Sequence, residues 1–146
     1  MSRHFTLSEA EKLLPDVEQM LRTAIELKAD LFNAEKDWQE FNRKAMFAGG
    51  VLLDRAHVVQ LKQTRENLGE QLKQAIEDIH GIGCQVKDLD IGLIDFPTWY
   101  QGQEVLLCWK LGEHGISFWH DTQEGFAGRK PIDQQFLENH SGDRKQ

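Results

Sequence analysis

The sequence predicts an α+β fold: a long antiparallel helical hairpin followed by a small antiparallel β-sheet. Three observations lead there. Apolar residues recur every three or four positions from Leu7 to about Ala45, and again over residues 55–80. The pair Gly49-Gly50 separates these two runs. After Gly83 the apolar period drops to two, and turn residues separate short apolar segments.

The first helix opens at Phe5-Thr6-Leu7-Ser8-Glu9. Thr6 stands at the N-cap and Glu9 follows three residues later, so each side chain can satisfy an amide of the first turn. Leu14, Val17, Leu21, Ala24, Leu31 and Trp38 form one stripe, widened by Leu13, Met20 and Leu27. Pro15 lies inside this pattern, which predicts a bend or a restart. The mixed charges from Lys28 to Lys44 read as a solvated face. Residues 46–53, MFAGGVLL, put apolar flanks around the glycine pair. They predict either a turn folded back on the helices or a tip that meets a second subunit.

Asp54 is placed to cap the second helix. Its stripe is Leu61, Leu68, Leu72, Ala75 and Ile79, flanked by Val58 and Ile76, and it is expected to close at His80-Gly81. Two such helices joined by a short loop pack antiparallel.

Four strands are expected: Cys84–Lys87, Ile91–Phe96 ending at Pro97, Glu104–Leu111 and Ile116–His120. A hairpin turn at Gly112–Gly115 would set Leu111 opposite Ile116, Trp109 opposite Phe118, Leu107 opposite His120 and Cys108 opposite Trp119. Residues 133–146 read as a flexible tail that starts with a helical turn at QQFLE. The expected organisation is a single domain over 1–146: helical hairpin 6–80, sheet and loops 84–132, tail 133–146.

A formal net charge of -7 argues against sequence-independent binding to nucleic acid or to an anionic membrane, since both would repel the chain. No apolar run reaches membrane-spanning length, and MSRHFTLSEAEKLLP has no signal-peptide core. Cys84 and Cys108 make no disulfide framework and are expected to be thiols. The expectation is a cytoplasmic protein without cofactor.

The chemistry concentrates in residues 92–131. Asp95 and His120 read either as an acid–base pair or as a hydrogen-bonded pair at the rim of a core. Under the expected register Asp95, His120 and Arg129 gather at one margin of the sheet, with Glu113 at the opposite tip. Cys108, Glu113, His120 and Asp121 match no ligand spacing such as C-x-x-C or H-E-x-x-H, so no metal is expected. In Gly125-Phe126-Ala127-Gly128-Arg129 the glycines expose amides and Arg129 can grip a small anionic ligand. The competing role for Arg129 is an internal pair with Asp95 or Glu113 that pins the loop. Trp99 and Tyr100, in a loop after Pro97, are candidates for a binding surface.

Several segments resemble a bacterial family of uncharacterised proteins. They are FTLSEAEKLLP at Phe5–Pro15, GLIDFP at Gly92–Pro97, LCWKLGE at Leu107–Glu113, WH at Trp119–His120 and GFAGRKP at Gly125–Pro131. The resemblance spans about residues 5–131 and implies a helical hairpin followed by a small sheet. It carries no activity. The leading expectation is a non-enzymatic binding or assembly module that self-associates, as a dimer. The alternative is a small enzyme or anion-binding protein using Asp95, Glu113, His120 and Arg129.

Overall fold

A computed structural model describes residues 3–47 and 54–143. Its elements are α1 (Leu7–Phe47), α2 (Arg55–Ile82), β1 (Gln85–Asp88), β2 (Leu93–Tyr100), β3 (Gln103–Lys110), β4 (Phe118–Asp121), β5 (Lys130–Pro131), α3 (Gln134–Asn139) and β6 (His140–Ser141). The fold is α+β, a helical hairpin followed by a six-stranded antiparallel sheet. The strand order is β1-β2-β3-β4-β5, and β6 pairs with the far end of β2.

The helix starts form as the side chains dictate. Thr6 Oγ1 accepts from Glu9 N–H at 3.1 Å, and Glu9 Oε1 accepts from Thr6 N–H at 3.0 Å. Asp54 accepts from the amides of Ala56 and His57. Pro15 does not restart the helix; α1 runs through it as one element, held by the burial of Ala10 and Val17 on either side. The second helix closes at Gly83, two residues later than Gly81. Gly83 has φ 115°, and a Cβ there would lie 2.9 Å from Arg3 Cβ. Phe41 meets His57, Trp38 meets Lys62, and Glu35 pairs with Arg65, so the helices run antiparallel. Of the apolar turn predicted at 46–53, Met46 and Phe47 belong to the end of α1, and residues 48–53 lie outside the described residues.

The main core lies between the first half of α1 and one face of the sheet. Ala10, Val17 and Leu21 pack with Ile94, Phe96, Val105, Leu107 and Trp109, all fully or almost fully buried. Phe5 and Phe136 complete this core at its edge.

Three sheet expectations are corrected. First, β2 does not end at Pro97; it continues to Tyr100, with Pro97 opposite Leu106. Pro97 O accepts from Phe5 N–H at 2.7 Å. The proline nitrogen points to the same side, away from β3, so its missing hydrogen breaks no ladder bond. Second, β3 and β4 pair one residue out of the expected register: Cys108 faces Phe118, Leu107 faces Trp119, and Leu106 faces His120. The β3–β4 ladder stops at Cys108 and Phe118, so Lys110 has no partner on β4. Glu113 Oε1 takes Lys110 N–H at 2.7 Å, and Leu111 N–H donates to Gly92 O. A one-residue slip exchanges the two faces of a strand, so His120 joins Asp95 and Cys108 instead of the helix-facing core. Third, residues 133–143 are docked rather than loose. Asp133 caps α3, and Phe136 is fully buried against Tyr100 and Trp119, with ring centroids 4.7 and 5.1 Å away. Asp143 N–H then donates to His4 O, which ties this segment to residue 4.

Candidate functional site

The face of the sheet turned away from the helices carries the polar cluster. Asp95 on β2 is directly opposite Cys108 on β3, and His120 on β4 is opposite Leu106. Alternation puts all three side chains on this face. Each is almost wholly buried: Asp95 is 1% exposed, His120 2% and Cys108 0%. One ligand-type atom from each lies within 4.8 Å of the others.

His120 Nε2 stands 3.1 Å from Asp95 Oδ1. Its Nδ1 is 2.8 Å from Asp121 O. A carbonyl only accepts, so in this bond Nδ1–H donates to Asp121 O, and Nε2 is turned toward the carboxylate. Asp95 Oδ2 is buried with no hydrogen-bond partner. Burial pushes the Cys108 thiol up to about 12; the Asp95 charge adds to this and Arg129 opposes it.

Arg129 lies across the same face, its guanidinium 4.0 Å from the Phe118 ring centre and 4.6 Å from that of Phe126. Its Nη2 donates to both oxygens of Glu113, at 2.7 and 2.8 Å. Glu113 therefore does not stand apart at the opposite tip. It folds under β3, holds Lys110 N–H, and pairs with Arg129. Of the two roles weighed for Arg129, the internal pair is the one formed.

The six candidate residues thus separate. Asp95 with His120, and Glu113 with Arg129, make two neighbouring pairs on one face. Trp99 is further along β2, stacked on His4 at 4.1 Å and 19°. Tyr100 points to the core side, against Trp119 and Phe136. Trp99 lines a cavity of about 580 Å³ with Gln101, Gly102, Asn139 and Ser141; Asp95, Cys108 and His120 do not line it.

Sequence reasoning missed a second polar cluster. His4 is buried, with Nε2 2.7 Å from Glu104 Oε2 and Nδ1 3.4 Å from Asp143 Oδ1. Its partners lie 100 and 139 residues along the chain, so no local pattern announces it. Cys108 was weighed as a small core residue and, with Glu113, His120 and Asp121, as a metal ligand; the residue it meets, Asp95, was not in that set. Residues brought together from adjacent strands share no sequence spacing, so a motif test does not reveal the cluster.

The comparison with family models matches residues 3–132 to "Uncharacterized conserved protein (DUF2203)". The chain belongs to this family. The DUF2203 match takes in both helices and strands β1 to β5, hence every residue of the Asp95 and Arg129 pairs. No curated protein and no solved structure matches the chain. Among the described residues no helix is long and apolar enough to cross a membrane.

Proposed function

We propose that this member of DUF2203 is a cytoplasmic, non-enzymatic binding or assembly module that self-associates through the outer half of its helical hairpin. The observation that carries this reading is the poor burial of that half. Beyond Ile25, Ala34 is the one described residue of α1 that is buried, and in α2 the only one is Ile79, at the sheet end. Residues 26–47 extend about 33 Å at the usual helical rise. Along them and the facing part of α2, Phe32 is 63% exposed, Met46 82% and Val59 53%. Two helices alone bury only one stripe each. A second hairpin laid alongside makes a four-helix bundle and covers the rest.

The polar face supports the same reading. Arg129 is engaged by Glu113, and Asp95 and His120 are sealed from solvent, so neither pair presents a group to an anionic substrate. Two buried free thiols fit a reducing compartment. Size exclusion with light scattering is expected to give a dimer, and the double variant Phe32→Glu/Val59→Glu a monomer with unchanged helical content. A wild-type chain that stays monomeric at high concentration overturns the proposal.

A further inference from the structure

We propose that Asp95, Cys108 and His120 form a binding site for one divalent transition-metal ion of the zinc class. This goes beyond self-association and rests on a different face of the molecule. The donor set is the first ground. A carboxylate, a thiol and an imidazole project from three adjacent strands with their ligand atoms within 4.8 Å of one another. Zinc bonds of about 2.0–2.3 Å place tetrahedral donors about 3.3–3.8 Å apart. His120 Nε2 and Asp95 Oδ1, at 3.1 Å, are already close to that spacing. The sulfur, within 4.8 Å of the other two atoms, has to close by roughly 1 Å to reach that spacing.

The second ground is the unmet demand inside the cluster. Asp95 Oδ2 is buried without a partner. His120 commits Nδ1 to Asp121 O, so its Nε2 contact with carboxylate oxygen at 3.1 Å needs a positive centre between the two atoms, either a second ring proton or a metal ion. A cation there satisfies Nε2, the carboxylate and Sγ together. A buried polar atom left without a partner costs about 1–3 kcal/mol in general, so the cluster as it stands invites such an occupant. The Nδ1 bond to a backbone carbonyl is also the outer-shell contact that orients a ligating histidine.

Charge and softness narrow the ion. On binding, the Cys108 thiol releases its proton to solvent, and thiolate and carboxylate then neutralise a divalent cation. A neutral assembly is what a dry site tolerates. Thiolate with imidazole favours zinc, cobalt or iron over magnesium or calcium. The nearby cation, Arg129, is itself paired with Glu113. Three protein ligands leave one tetrahedral position for water or another donor.

Cobalt(II) titration of the purified full chain tests this. One equivalent per chain is expected to produce the intense visible bands of tetrahedral cobalt and a near-ultraviolet thiolate-to-cobalt band. Zinc added afterwards should bleach both. Cys108→Ser should lose the near-ultraviolet band, and Asp95→Asn should weaken cobalt binding at least tenfold, each with the far-ultraviolet dichroism of the wild type. If a variant fails to fold, the wild-type titration decides alone. A folded wild type that gives no stoichiometric thiolate band overturns the proposal, and so does a band that survives in Cys108→Ser.

Discussion

Arg129 and Glu113 illustrate how a charged pair can fasten a loop instead of serving a ligand. The Arg129 side chain is 9% exposed and Glu113 28%, and Arg129 bridges the chain after β4 to the turn after β3. Removing one partner strands the other in a half-dry place. Arg129→Ala is expected to lose about 2–4 kcal/mol of stability by urea denaturation, with Arg129→Lys recovering only part because it lacks the planar fork. A second residue-scale effect belongs to Cys84. Burial lifts its thiol from 9.0 to about 11. The folded state holds this proton while the unfolded state has lost it, so stability is intact below pH 9 and falls as pH rises toward 11. Each unit is about 1.4 kcal/mol. Cys84→Ala should lessen that alkaline loss without abolishing it, since the Cys108 thiol is raised as well, measured as melting temperature between pH 8 and 11.

At the level of elements, much was legible before any coordinates. Thr6 with Glu9, Asp54, and the stripe through Val17 and Leu21 act within a turn or two of chain, where side-chain spacing decides the outcome. Asp95 and His120 were grouped only as residues near one margin of the sheet; the expected register put His120 on the helix-facing side, and the one-residue slip brings it to Asp95. What stayed hidden depends on distant contacts. The β3–β4 register goes with Glu113 reaching back to take Lys110 N–H, while Leu111 keeps its pairing with Gly92 on the β2 side, where an added Cβ would sit 2.6 Å from Leu111 Cβ. Whether Pro97 ends β2 turns on Phe5, 92 positions earlier, filling the gap between β1 and β6. Residues 133–143 read as loose because their anchor is one aromatic ring in a polar stretch. Phe136→Ala is expected to cost about 3–5 kcal/mol and to raise the proteolytic sensitivity of that segment, while Leu137→Ala, at an exposed site, should do neither.

Over the whole molecule the hairpin and the sheet divide the labour. The sheet end is filled on both faces, and the far end of the hairpin is thinly covered. If association covers the hairpin, the melting temperature should climb with protein concentration, as linkage to a dimer requires; a concentration-independent melt speaks for a monomer. The union of His4 with Glu104 and Asp143 has a different consequence, one of timing. A ribosome makes residues 3–6 long before residues 133–143, yet each half of that knot needs the other. Until Phe136 emerges, Trp119 and Tyr100 lack their ring neighbour, and Phe5 waits beside an unfinished wall. The hairpin is therefore expected to coil while the chain is still being made and the sheet to close only after release, so a ribosome-bound chain ending before Phe136 should be cut by protease in the sheet segment and not in the helices.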